Sequence, residues 1–480
     1  MDKLIEWKDN TNHKVTMLYG ASGVGKTYLA LDFAKSFYEQ FIYFDLGEDS
    51  SVIDNILESD RKELEHNLDM YQELTIRNTD SKDVNSEAVP SNKKEEVLLI
   101  FDNTQLFFEK SDNEIDSSID IVSNKDKLKE VFELLNQSLK YHVLAISNEV
   151  MDVFMPSDKI SNQILHPLDF EEFLYAIGHE WYIETIKIHY QTNSRLPVIV
   201  HNQLLKLFDT YLEIGGMPLA VNEYNNTETL YNISNQHKLI MNSYLYEISK
   251  KENLDGLKIN QVFCSMDKQL LKENRKFKYS MIRKGATCGI YSSAIKYIQN
   301  SFYGLSCFKL DNIEIDAGCS EHIDYVHSLY NIKDKNMQNV KLYYFDVGLL
   351  NTTIKRSSTK LESVDINRNN NSNSLANNKL LHTNKRRALI ENYIAITLAS
   401  NGYPLIYWES NSLAKMEFII MKDNVIIPIE VRSNDMTRSK NFSVFRNQYK
   451  NVNEQIKIST RNFEYNNRVK YVPIYAAFCI

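Results

Sequence analysis

The clearest chemistry in the chain lies in eight residues near its start. GASGVGKT places Gly20, Gly25, Lys26 and Thr27 at the spacing G-x-x-x-x-G-K-[ST], after the apolar run KVTMLY (14–19) and before the helical stretch TYLALDFAKSFYEQF. Glycines so spaced let backbone N–H groups, those of Ser22, Gly23 and Val24 included, curl around phosphate oxygens. A helix starting at that point adds partial positive charge. Lys26 would reach the β- and γ-phosphates, and the Thr27 hydroxyl would ligate Mg²⁺. The spacing therefore predicts a nucleotide site for ATP with Mg²⁺.

Such a loop needs a carboxylate on the metal side, at the end of another strand. VLLIFD supplies one in Asp102. Enzymes that hydrolyse the nucleotide usually carry a glutamate next, which polarises the attacking water, but this chain has Asn103. An amide cannot accept a proton, and losing a general base costs on the order of 10²- to 10⁴-fold. Binding is expected to survive and hydrolysis to be weak. HVLAISN ends a further strand on Ser147 and Asn148. Asn148 reads either as a polar sensor of the γ-phosphate or as part of an ordinary turn.

The elements that must position these groups alternate strand and helix. FIYFDL (41–46), VLLIFD (97–102) and HVLAIS (142–147) are strand-like runs bounded by polar turns, which predicts an α/β fold with a parallel sheet and crossover helices. From Leu165 to about Lys250 the pattern is mostly helical. Short helices follow from Leu257 to Tyr303, and α/β patterning returns from Lys341 to the end. About 78–95, 109–127 and 355–385 are polar and poor in large apolar residues. The last contains NRNNNSNSLANN, which cannot bury enough apolar surface to order itself and reads as a flexible insertion.

At 480 residues, two or three domains are expected. A formal net charge of -8 and a pI near 5.9 argue against a surface coated in basic residues for bulk nucleic-acid binding, although a local patch is compatible with them. Cys264, Cys288, Cys307, Cys319 and Cys479 lack zinc or redox spacing and read as buried thiols in a reducing compartment. The charged N-terminus MDKLIEWKDN lacks a signal-peptide pattern, and no apolar run is long enough to span a membrane, so a cytoplasmic location is expected.

Taken in order, these segments resemble the prokaryotic AAA-type P-loop ATPases that carry a C-terminal, restriction-endonuclease-like domain of unknown function. The matching pieces are LIEWKDNTNHKV, FDNTQ (for the family's D-E-x-Q), HPLDFEEFL (166–174), EIGGMPLAV (213–221), KQLLKENRKFKYSMIRKGA (268–286), KLYYFDVGLL (341–350), ALIENYIAITL (388–398), IIPIEVRS (426–433) and QIKISTRNF followed by VPIYAAF. The resemblance implies a P-loop core over 1–165, a helical lid over 166–254 and a winged-helix-like module over 255–310. A connecting segment with the low-complexity insertion would occupy 311–385, and a restriction-endonuclease-like α/β domain 386–480.

In PLDFEEF, a proline that can start a helix precedes acids suited to a first turn. Gly215 and Gly216 before Met217-Pro218 mark a tight break between helices. In the winged-helix-like module, Lys268, Lys272, Arg275, Lys276, Lys278, Arg283 and Lys284 surround Phe277 and Tyr279. This strip reads as a DNA-backbone contact, as a solvated face, or as an interface to the acidic core. The C-terminal acids Glu391, Glu417 and Glu430 come in a nuclease-like order, and two such acids can hold a divalent metal. Glu417 replaces the family's aspartate, and Arg432 replaces a lysine. Arginine keeps its proton at neutral pH and cannot act as a base.

The expected function is an ATP-binding AAA-type protein with weak Mg²⁺-dependent ATPase activity, whose nucleotide state positions the C-terminal domains. Two alternatives are an ATP-dependent DNA-cleaving enzyme using the C-terminal acids and a non-hydrolysing, nucleotide-gated scaffold for a protein or DNA partner.

Overall fold

A computed structural model describes residues 1–10, 15–58, 68, 96–109, 124–137, 140–150, 160–251, 253–310, 334–365, 374–410, 414–422, 425–434, 440–449 and 452–480. Its fold is mixed α/β. The chain divides into two compact units, one of residues 1–21 and 25–165 and one of residues 22–24 and 166–480.

The first unit is built on five parallel strands: β1 (Val15–Tyr19), β2 (Gln40–Asp45), β3 (Val97–Asp102), β4 (Tyr141–Ser147) and β5 (Ile160–Ile164). Their order is β2-β3-β4-β1-β5, with β1 parallel to β4 and β5. Sequence patterning located the first four strands but not β5. ISNQI has one buried residue followed by four half-buried ones, as an edge strand without an apolar run would. β1, β3 and β4 are buried along their whole length, as continuous apolar runs in a covered parallel sheet should be. Leu4 and Trp7 of helix α1 (Asp2–Asp9) pack with Phe33 and Ala34 of helix α2 (Lys26–Phe37) and with Leu98 and Ile146, forming the core that fixes α2 against the sheet.

The second unit begins with five helices, Phe170–Ala176, Trp181–Thr192, Val198–Ile214, Pro218–Thr227 and Ile233–Lys250. The first opens on an Asp169–Glu172 capping box, with Glu172 N–H donating to Asp169 Oδ1 at 2.8 Å. Pro167 lies outside it, so the cap rather than the proline starts the helix. Gly216 lies where a Cβ would fall 1.9 Å from the Leu168 carbonyl oxygen, so only glycine fits. Its N–H donates to Asp346 Oδ2 at 2.6 Å, and Asp346 Oδ1 accepts from Leu349 N–H at 2.9 Å, at the start of helix Val347–Asp365.

Two further sheets belong to this unit. One has the order β7-β6-β8-β9, from β6 (Gly304–Lys309), β7 (Val340–Tyr344), β8 (Ile406–Glu409) and β9 (Lys415–Met416). The other has the order β10-β11-β12-β14-β13, from β10 (Phe418–Lys422), β11 (Val425–Val431), β12 (Gln455–Ser459), β13 (Glu464–Asn466) and β14 (Val469–Pro473).

Two expectations need correction. The polar stretch 355–385 is helical up to Asp365 and again from Ser374, where helix Ser374–Ser400 begins; residues 366–373, which include 367–373 of NRNNNSNSLANN, lie outside the described residues. Polar composition predicts lack of order here, but helix Ser374–Ser400 is held by its second half, where Ile390, Tyr393 and Ile394 are buried. Nor are the cysteines uniformly buried. Cys264 is exposed, just past helix Asn253–Phe263, with its thiol donating to Asn260 Oδ1 at 3.0 Å, whereas Cys307 is buried in β6. Cys319 lies outside the described residues, as do most of 78–95 and 109–127. No helix of the described residues is long and apolar enough to cross a membrane.

Candidate functional site

The turn between β1 and α2 is shaped by glycine. Gly23 has φ 78°, and Gly25 has φ 99° and ψ 17° as the N-cap of α2. A left-handed residue there turns the chain directly into the helix, and a β-carbon would strain it. Lys26 is the first helical residue, and its side chain folds back into the turn. Although only 5% exposed, its Nζ donates to the carbonyls of Gly20 and Ala21, both at 2.9 Å. A buried ammonium beside backbone carbonyls makes the turn attractive to an anion.

Thr27, one residue on, points toward the end of β3. Its Oγ1 donates to Asp102 Oδ2 at 2.6 Å, joining residues 75 apart in sequence. Parallel pairing explains how they meet, because β1 and β3 flank β4 and all three end on the same side of the sheet. Asp102 is buried and receives two more hydrogen bonds, from Tyr43 OH to Oδ2 at 2.9 Å and from Asn103 N–H to Oδ1 at 2.7 Å. Burial and the adjacent Asp102 charge push the Tyr43 hydroxyl well above its ordinary range, so Tyr43 stays a neutral donor. A threonine hydroxyl and a carboxylate meeting through oxygen form a donor pair suited to a hard divalent cation.

Asn103 has φ 56°, a region that asparagine tolerates better than glutamate does. The local backbone thus gives a reason for asparagine at this place. Its Nδ2 donates to Asp45 Oδ1 at 2.9 Å, and Asp45 stands in register with Asp102 on the neighbouring strand. At the end of β4, the Ser147 hydroxyl donates to the Glu149 carbonyl at 2.7 Å, fixing a turn. Asn148 donates its backbone N–H to Gln105 Oε1 at 3.2 Å, while its side chain makes no hydrogen bond among the described residues. Tyr43 and Asp45 were not singled out by sequence reasoning. The signal was the period-two alternation of FIYFDL, which puts both on one face of β2.

The C-terminal acids are held differently. Glu391 is buried against Arg275 Nη1 at 2.7 Å, Lys341 Nζ at 3.2 Å and Tyr343 OH at 2.7 Å. Burial pushes its carboxyl up, but Arg275 and Lys341 outweigh burial and, with the Tyr343 hydroxyl, hold it at about 2. Glu417 accepts from Val431 N–H at 3.1 Å and lies 3.5 Å from Lys415 Nζ. Glu430 accepts from Lys457 Nζ at 2.8 Å, Arg432 Nε at 3.0 Å, Asn441 Nδ2 at 3.1 Å and Gln455 Nε2 at 3.2 Å. Lys457 faces Glu430 in register across β11 and β12. The fold brings Glu417 beside the Glu430 strand and ties Glu391 to Arg275 and Lys341, with Lys415 acting on both Glu417 and Glu391. Among the described residues, no group of three or more His, Cys, Asp or Glu is arranged to hold a metal.

The basic segment 268–284 does not present all its charges to solvent. Arg275 is buried on Glu391, and Lys276 pairs with Glu409. Phe277 is buried, and Tyr279 donates to the Met337 carbonyl at 2.7 Å, so neither ring stands out as a stacking platform. Lys268, Lys278, Arg283 and Lys284 remain exposed.

Residues 386–477 match a family model described as a domain of unknown function, DUF4143. No curated protein matches the chain.

Proposed function

We propose that the chain binds ATP with Mg²⁺ at the Gly20–Thr27 turn and hydrolyses it slowly, as a P-loop ATPase of the AAA type. The observation that carries this reading is the 2.6 Å contact between Thr27 Oγ1 and Asp102 Oδ2, which unites the two predicted metal-side groups from distant parts of the sequence. The backbone N–H groups of the turn would cradle phosphate oxygens, and Lys26 would exchange its two carbonyl partners for them. Thr27 and Asp102 would hold Mg²⁺, which neutralises charge on the transferred phosphoryl group. Slow turnover is expected because Asn103 stands where a glutamate would directly polarise the attacking water. Glu417 and Glu430 have no role in this reading, because lysine and arginine side chains already compensate their charges.

The test is steady-state Mg²⁺-ATP hydrolysis, with Lys26→Ala as the blank. Turnover above the blank that disappears without Mg²⁺ is the expected outcome. Equal rates in the two proteins, together with equal nucleotide affinity, would overturn the reading. Adding duplex DNA checks whether exposed Lys268, Lys278, Arg283 and Lys284 couple to turnover; a rate rise that a Lys278→Ala/Arg283→Ala variant loses would make DNA a partner.

A further inference from the structure

Hydrolysis requires a group that takes a proton from the attacking water, and the Asn103 amide cannot. The carboxylate in contact with that amide is Asp45. It ends β2 in register with Asp102, at the carboxyl edge of a parallel sheet, where open α/β sheets gather their ligands. Its face of β2 is also that of Tyr43, whose hydroxyl reaches Asp102. Asp45 Oδ1 accepts from Asn103 Nδ2 and from Gly47 N–H, each at 2.9 Å. Those two donors fix the carboxylate plane, while Oδ2 has no partner among the described residues. The side chain is half-buried, and no cation pairs with it among those residues.

We propose that Asp45 is the general base of this site and that Asn103 is the arm that holds it in place. The inference rests on the ATP-hydrolysis reading above. The water oxygen forms a bond to the γ-phosphorus, the bond from that phosphorus to the bridging oxygen breaks, and its electron pair leaves on ADP. The water proton passes to Asp45 Oδ2, giving ADP and inorganic phosphate with no other reactant. The pairing also accounts for asparagine at 103. An acid there would set two carboxylates against each other and raise the affinity of one for a proton, whereas the amide donates to Asp45 and keeps a single charge.

The experiment compares the full chain, Asp45→Asn, the exchange variant Asp45→Asn/Asn103→Asp and the Lys26→Ala blank. Turnover, affinity for ATP, affinity for ADP–aluminium fluoride and thermal midpoint are measured for each. Asp45→Asn is expected to lower turnover by about 10²- to 10⁴-fold while ATP affinity and thermal midpoint stay near the parent's. Its affinity for ADP–aluminium fluoride should fall by at least tenfold, and the exchange variant should recover part of the lost turnover. If the parent turns over above the blank and Asp45→Asn keeps a rate within twofold of it, Asp45 is not the base, although the ATPase reading stands. If the parent binds ATP but shows no turnover, hydrolysis and the role of Asp45 fall together. If Asp45→Asn loses thermal stability and the exchange variant regains stability but no turnover, the pair is structural and the proposal is overturned.

Discussion

Asp102 and Glu430 stand near the ends of strands in two different sheets, and both are buried. Their partners differ in kind. Asp102 is held by two hydroxyls and a backbone N–H, all neutral. Glu430 is held by an ammonium, a guanidinium and two amides. Neutral donors orient a carboxylate and leave its charge uncompensated, so a cation from solution can complete the site. Charged donors cancel it, and a metal would first have to displace them. Sequence order alone made both acids metal candidates, yet of the two only Asp102 is held without a cationic partner.

The sharpest way to break this comparison is to remove each charge without removing the side chain. Glu430→Gln leaves Lys457 buried without its carboxylate, which should destabilise the fold by about 3–5 kcal/mol. Asp102→Asn leaves only neutral groups behind, with one oxygen fewer for its three donors, and should cost about 1.5–3 kcal/mol, the worth of a hydrogen bond to a charged group. Denaturant unfolding of both variants decides the matter. Equal losses would mean that the two acids are held alike.

Acid titration sharpens it next. Glu391 belongs with Glu430 in being paired to cations, and its carboxyl is held at about 2 against an ordinary 4.5. Folding therefore favours its ionised form. The resulting stability is fully present above about pH 4.5 and is lost as pH falls toward 2, amounting to about 3 kcal/mol at roughly 1.4 kcal/mol per pKa unit. A Glu391→Gln chain should lack this part of the acid dependence and lie below the parent at neutral pH. Parallel curves for parent and variant between pH 5 and 2 would show that the ion network with Arg275 and Lys341 does not govern acid stability.

The smallest expected effect lies around Asp102. Tyr43→Phe removes one of its three donors and leaves the fold intact. With Asp102 on Mg²⁺ as proposed, loss of an orienting partner behind it should weaken Mg²⁺ affinity by about tenfold. Titration of turnover with Mg²⁺ reads this directly. An unchanged midpoint would mean that Thr27 and the Asn103 N–H suffice to hold Asp102.

Local patterning was enough for the strands VLLIFD and HVLAIS, because buried parallel strands are continuous apolar runs, and for the glycine-lysine-threonine turn, because its backbone needs specific residue types at fixed spacing. The same reasoning missed β5, a half-polar edge strand. It also read the start of helix Ser374–Ser400, up to Lys385, as unordered, because that helix is held by packing of its second half rather than by the composition of its first. Asn103 was visible as a departure from the usual glutamate, but its left-handed backbone and its bond to Asp45 were not, since the strands they end are separated by half a hundred residues of chain. Charge compensation was likewise out of reach. Arg275 meets Glu391, and Lys457 meets Glu430, through contacts between separate elements. By itself the sequence determined which residue types could hold phosphate and metal, because backbone geometry and donor chemistry are local. Only the tertiary structure decided which acids keep their charge uncompensated, because a buried charge answers to whatever the fold brings within a few ångströms of it.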